Sequence, residues 1–353
     1  MSKQKVTRVD LTKSLSELKL RDILGNQPWG LVCDDSFRAL FKEWGFPDNK
    51  LISVDDVNED PDDVPLPKVI VICTEKPERL TQLQLKERDD IQTLGLFSQL
   101  IPRLAAGLPP RWKPRAGLNV KLEYAIVCLP RSGSTLVARE LREIGAGNPT
   151  EHLRGTVQVL LRERAITRFE FGRWWTMVRS GHNVNGIFAT KIIFEFLKMS
   201  EQFMTPKELD EVHDFLKSVP IIYIERLDKF GQAASDAIAR QTGVWHLWSK
   251  DMKDQYDEKL EGLDGNFQDA ISTYQKFRRH ESELRKLLAS LGSRVIRIDY
   301  QDLMNQPKVA IARAAEELGL EIPKDYLSTP LTLQPTTSDV HRRLRDRLEE
   351  ELR

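Results

Sequence analysis

Residues 130–135 of this 353-residue chain read Pro-Arg-Ser-Gly-Ser-Thr, which sets one guanidinium, three hydroxyls and a glycine side by side. They stand between an apolar run, 123–129, and an amphipathic pattern over 136–144 that Gly145 stops. Pro130 cannot continue a strand ladder, and Gly133 lets the main chain approach a ligand closely. The first N–H groups of a helix have no partner inside it, and its dipole adds about 0.3–1 kcal/mol for a neighbouring negative charge. Ser132, Ser134 and Thr135 are placed to cap that helix, and each hydrogen bond to a charged group is worth roughly 1.5–3 kcal/mol. The chemistry is that of a local anion site. The triphosphate-loop pattern GxxxxGK[ST] does not fit, because the lysine that reaches the β- and γ-phosphates is missing.

A second anion site is expected further along. Arg226 directly follows the apolar run PIIYIE, and Ser235 lies about two and a half helical turns beyond it. A guanidinium fixed at a strand end, with a hydroxyl beside it, holds a phosphate; a surface ion pair with Asp228 is the alternative reading. Between the two sites, the loop GAGNPTEHLRG supplies Glu151 and His152, whose unperturbed imidazole titrates near neutral pH. Lys191 stands in GIFATKIIF among Phe188, Ile192, Ile193 and Phe194. A lysine in such a strand takes a specific anionic partner or reaches out to solvent.

PRSGST resembles the 5′-phosphosulfate loop of sulfotransferases that use 3′-phosphoadenosine 5′-phosphosulfate (PAPS). Arg226 with Ser235 is similar to their 3′-phosphate grip. The longer pattern of Arg226, Asp228, Lys229, Gln232, Ala233 and Ser235, followed by Gln241, Thr242, Gly243, Trp245 and His246, resembles the bacterial trehalose 2-sulfotransferase family. GIFATKIIF (186–194) and RIDYQDL (297–303) are similar to further segments of that family, and the likeness runs over about residues 121–325.

The resemblance implies a sulfotransferase fold, a P-loop-like parallel sheet flanked by helices, with PAPS as co-substrate and no metal. It implies nucleotide contacts from Arg131, Ser132, Gly133, Ser134, Thr135, Arg226 and Ser235. Glu151, in the family's Pro-x-Glu setting, would be the base, with His152 as the alternative, and Arg131 and Lys191 would be the catalytic cations. The acceptor would be a hydroxyl of a carbohydrate or glycolipid, attacked in line, and the protein could be a homodimer. Two other readings compete: an ATP-dependent small-molecule kinase, against which the missing lysine counts, and a non-catalytic nucleotide-binding relative. Trp174, Trp175, Trp245 and Trp248 fall where the acceptor side is expected, although core packing suits any one of them as well.

The elements that must carry these residues follow from periodicity. Apolar runs at 123–129, 187–193, 220–225 and 294–300 alternate with helical stretches at 136–144, 205–218, a long one after 225, and 308–318. That order predicts an α/β domain with a parallel sheet and its ligands at the carboxyl ends of the strands. Upstream, 29–33, 51–54 and 68–74 read as strands and 36–44 and 77–106 as helices, a smaller N-terminal α/β domain. The Pro- and Gly-bearing stretch 108–117 is expected to be a linker, dividing an accessory domain, 1–115, from a sulfotransferase domain, 118–353. The acidic stretch 54–65 lacks the alternating ligands and turn glycine of a calcium loop.

Composition narrows the class further. Lys plus Arg and Asp plus Glu number 53 each, so no net field draws the protein to nucleic acid. Three cysteines, each within an apolar run and with no CxxC spacing, read as reduced thiols. No apolar run approaches a membrane span, and a soluble cytoplasmic protein is expected.

Overall fold

The computed structural model describes residues 29–33, 35–43, 46–54, 57, 69–73, 92–96, 100–109, 120–162, 164, 169–247, 249–331, 333, 336 and 338–353. Most of the acidic stretch, the helical expectation over 77–91, the linker residues 110–119 and Trp248 lie outside them. The chain divides into two compact units, residues 1–114 with 154–181, and residues 115–153 with 182–353.

In the first unit, β1 (Trp29–Cys33), β2 (Leu51–Ser53), β3 (Val69–Cys73) and β4 (Gln92–Gly95) form a parallel sheet in the order β2-β1-β3-β4. Within the stretch 77–106, expected to be one long helix, the described residues include the strand β4 and a helix at Ile101–Ala105. Periodicity does not separate a short apolar run into helix or strand; the pairing of Thr93 with Ile70 and Leu94 with Val71 decides it. Residues 154–181, which the sequence-based division left with the second domain, belong here by their packing. The helices Thr156–Arg162 and Phe171–Gly181 both contact Ile101–Ala105, and Leu108 occupies the space a β-carbon at Gly181 would need. Trp175 stacks on Phe171 in this unit's core, and the fully buried Trp174 lies tilted against both.

In the second unit, β5 (Leu122–Cys128), β6 (Ile187–Ile193), β7 (Ile221–Glu225) and β8 (Val295–Asp299) form a parallel sheet ordered β6-β5-β7-β8. The runs of β5, β6 and β7 are nearly all apolar and largely buried, β6 at every position, whereas the edge strand β8 alternates exposed and buried residues. Ile126 and Ile222 pack with Val137 and Leu141 of the Ser134–Glu143 helix and with Ile311 of the Pro307–Glu317 helix. The single long helix expected after β7 is three helices, Lys229–Thr242, Lys250–Leu260 and Phe267–Leu291, with Asp228, Ser249 and Asn266 capping their starts. The Asp339–Leu352 helix packs on the first and third of them. Among the described residues no helix is long and apolar enough to cross a membrane.

Candidate functional site

The turn after β5 is the first component. Arg131 has φ +58° and Gly133 φ +82°, and the helix begins at Ser134. Left-handed backbone costs a residue such as arginine about 1–2 kcal/mol, whereas glycine adopts it freely. A β-carbon on Gly133 would also come 2.7 Å from Leu303 Cδ2. The hydroxyls expected to cap this helix do not do so: the N-cap position falls on Gly133, which has no side chain to offer. Ser132 Oγ is buried without a hydrogen bond to any described residue, and Ser132 is 1% exposed.

Beside this turn lies a cluster built on β6. Lys191 Nζ is 2.9 Å from Glu151 Oε1 and donates to Thr135 Oγ1 at 3.2 Å, and Thr135 Oγ1 is 3.4 Å from His246 Nε2. Glu151 is placed by a parallel bridge between Thr150 and Thr190, in which Lys191 N–H donates to Thr150 C=O at 2.8 Å. His152, the alternative base, is a core residue. Its Nε2 is 2.8 Å from Thr150 Oγ1, its Nδ1 is 3.0 Å from Thr190 Oγ1, and its ring packs on His182 and Phe188. Burial, with the neighbouring His182 adding to it, lowers its pKa to about 3, so it is a weak base with both nitrogens engaged.

On the other side of the turn a second cluster gathers at the ends of β5 and β7. Arg131 Nε donates to Ser235 Oγ at 3.0 Å, Nη1 to Trp245 C=O at 2.6 Å and Nη2 to Thr336 Oγ1 at 3.4 Å. Arg226 Nη1 donates to Arg131 C=O at 2.9 Å, and its guanidinium lies 4.2 Å from the Tyr300 ring centroid. Burial pulls both guanidinium pKa values below the ordinary one, yet arginine stays charged there. Asp228, the surface partner weighed for Arg226, instead caps its helix at Gly231 N–H and pairs with Arg345 at 3.2 Å.

The structure thus brings Arg131, Ser132, Gly133, Ser134, Thr135, Glu151, Lys191, Arg226 and Ser235 to the carboxyl edge of one sheet, in two groups joined by the 131–135 turn. Arg131's side chain is found with Ser235 and not with Lys191. Trp245 lies at this edge, whereas Trp174 and Trp175 are core residues of the other unit. Sequence reasoning gave no role to Tyr300, Thr336, Lys229 or Gln232. Thr336 carries no local signal, while Lys229, Gln232 and Tyr300 stand inside the segments that resemble the family.

The donor set suits an anion with two charged ends. Ser132 Oγ and Arg226 Nε are buried at this edge with no hydrogen-bond partner among the described residues, one in each group. Among the described residues no group of three His, Cys, Asp or Glu side chains converges as a metal site would require.

A search of curated proteins found no match. Among solved structures, the chain is similar to the sulfotransferase domain of the Synechococcus PCC 7002 olefin synthase, at 13% identity and a TM-score of 0.30. That match covers 68% of this chain and 98% of that one. It is also similar to the sulfotransferase domain from the curacin biosynthetic pathway, at 15% identity and a TM-score of 0.32, covering 63% and 81%. Scores so low carry no weight. The family model does: that of the Stf0 sulphotransferases matches residues 123–347, the region that builds both clusters. This chain is a sulfotransferase of the Stf0 sulphotransferase family.

Proposed function

We propose that the enzyme transfers a sulfuryl group from PAPS to a hydroxyl of a carbohydrate or glycolipid, with Glu151 as general base. The observation that carries the reading is the pair of cationic clusters at one sheet edge, each with a buried donor that has no partner among the described residues. When bound, PAPS supplies an activated sulfuryl group and, as leaving group, adenosine 3′,5′-bisphosphate. Arg226, Ser235 and the Arg131 guanidinium bind the 3′-phosphate. Ser132 and the free N–H groups of the Ser134–Glu143 helix bind the 5′ end. Lys191, beside Thr135 at that helix's first turn, offsets negative charge there.

Glu151 accepts the acceptor's hydroxyl proton as the new S–O bond forms and the S–O bond to the 5′-phosphate breaks. A sulfuryl group carries less charge than a phosphoryl group, so cations and main-chain dipoles suffice in this scheme. Trp245 is 40% exposed beside Arg131, which gives a sugar ring a face to lie on.

Thermal-shift titration tests the donor. Adenosine 3′,5′-bisphosphate raises Tm, Arg226→Ala loses that shift, and ATP with magnesium produces no comparable one; the reverse ranking overturns the reading. An acceptor screen with labelled PAPS tests the acceptor class, and label transferred only to non-carbohydrate hydroxyls overturns that part.

A further inference from the structure

Gln232 and Lys229 lie behind the two clusters, and neither can touch a ligand. Gln232 is 0% exposed and Lys229 is buried. Gln232 Nε2 donates to Pro130 C=O at 2.6 Å, at the root of the first turn. Its Oε1 accepts from Lys229 Nζ at 3.1 Å, and the same ammonium donates to Arg226 C=O and pairs with Glu281 Oε1 at 2.9 Å. A lysine has three N–H donors, and here each has an acceptor.

The bonds close a circuit. Pro130 is joined by Gln232 to Lys229, Lys229 to the main chain of Arg226, and the Arg226 guanidinium to the main chain of Arg131, the residue after Pro130. Glu281 anchors it from the Phe267–Leu291 helix, where Arg285 lies 3.5 Å from Glu281 and 2.6 Å from the buried Glu225 at the end of β7. Burial lowers the Lys229 pKa while Glu281 opposes that shift.

We infer that Lys229 and Gln232 are positioning residues that fix the separation of the two anion sites, and so set the preference for a nucleotide phosphorylated at both ends. The inference rests on the proposed donor. The sheet alone places the strand ends; the circuit ties the carbonyls of residues 130, 131 and 226, from which both sets of donors project. A ligand held at both ends gains only if the two sites stand at its own spacing, whereas one held at a single end is indifferent to it.

The test compares adenosine 3′,5′-bisphosphate with adenosine 5′-monophosphate by titration calorimetry at one ionic strength. Gln232→Leu removes both of its bonds at similar volume. Lys229→Met combined with Glu281→Leu removes the buried ion pair together, which avoids stranding one charge. In both variants affinity for the bisphosphate is expected to fall about 10- to 100-fold and that for the monophosphate less than about 3-fold. Circular dichroism melts confirm that each variant is folded. Folded variants that keep the wild-type ratio of the two affinities, or lose both affinities equally, overturn the positioning role alone. A wild type with no preference for the bisphosphate overturns the donor reading, and this inference with it.

Discussion

Lys191 Nζ sits 2.9 Å from Glu151 Oε1, with the two side chains 7% and 19% exposed, so the proposed base and the nearest cation are one unit. Their bond spans the gap between a fully buried strand and a loop, and Thr135 shares the same ammonium.

Glu151→Gln keeps the shape of that unit and removes the proposed proton acceptor. Turnover of labelled PAPS is expected to fall about 10²- to 10⁴-fold, with the affinity for adenosine 3′,5′-bisphosphate unchanged within a factor of about three. Full turnover in the variant removes Glu151 from the role of base.

Lys191→Met removes the cation 2.9 Å from the Glu151 carboxylate in a mostly buried place. Stability to urea is expected to fall by about 1–3 kcal/mol, less than for a fully buried pair because Glu151 keeps some water. Adding Glu151→Gln to Lys191→Met recovers part of the stability and none of the turnover. A double variant no more stable than Lys191→Met shows that the pair is not coupled.

Gly133→Ala forces a β-carbon into a backbone with φ +82° and toward Leu303 Cδ2. A loss of about 1–3 kcal/mol is expected from strain and overpacking together. The bisphosphate-dependent rise in Tm is lost as well, because the turn carries the anion-facing N–H groups. A folded Gly133→Ala protein with a normal shift contradicts this account of the turn.

Acid should weaken the fold through two buried histidines. The pKa of His152 is lowered to about 3 and that of His341 to about 4, in both cases chiefly by burial. Each is neutral in the folded chain, while the unfolded chain takes up protons near pH 6.5. The stabilisation is therefore complete above about pH 6.5 and declines as pH falls toward 3–4, each residue costing up to about 1.4 kcal/mol per pH unit. Urea melts from pH 7 to 5 measure the slope, and His152→Gln is expected to make it shallower. An unchanged slope would falsify the assignment.

The sheet of the second unit was legible because its buried parallel strands leave near-continuous apolar runs and its edge strand β8 an alternating one. The reading of 187–193 coincides with β6 to the residue, and those of the other three strands lie within one residue at each end. The turn was legible because its donors are adjacent in sequence. What was not legible depends on contacts between distant parts of the chain. Thr336 meets Arg131 across a separation of 205 residues, and Gln232 meets Pro130 across 102. The same holds for His152, which looks like a titrating base in sequence and becomes a core residue only when Thr190 and Phe188 surround it. In the first unit, the 92–95 run carries no signal of its own strand identity until β3 lies beside it.

The bridge between Thr150 and Thr190 makes Glu151 a fixture of the sheet and not a passenger on a loose loop. In its proposed role as base, a stationary carboxylate has no reach of its own, so the proposed acceptor must deliver its hydroxyl to one point in space. Regioselectivity in such an enzyme is a matter of how far the sheet edge lies from the rest of the acceptor's binding surface. On that reading, reshaping the acceptor's binding surface while leaving the sheet edge alone would keep the chemistry and change which hydroxyl is modified.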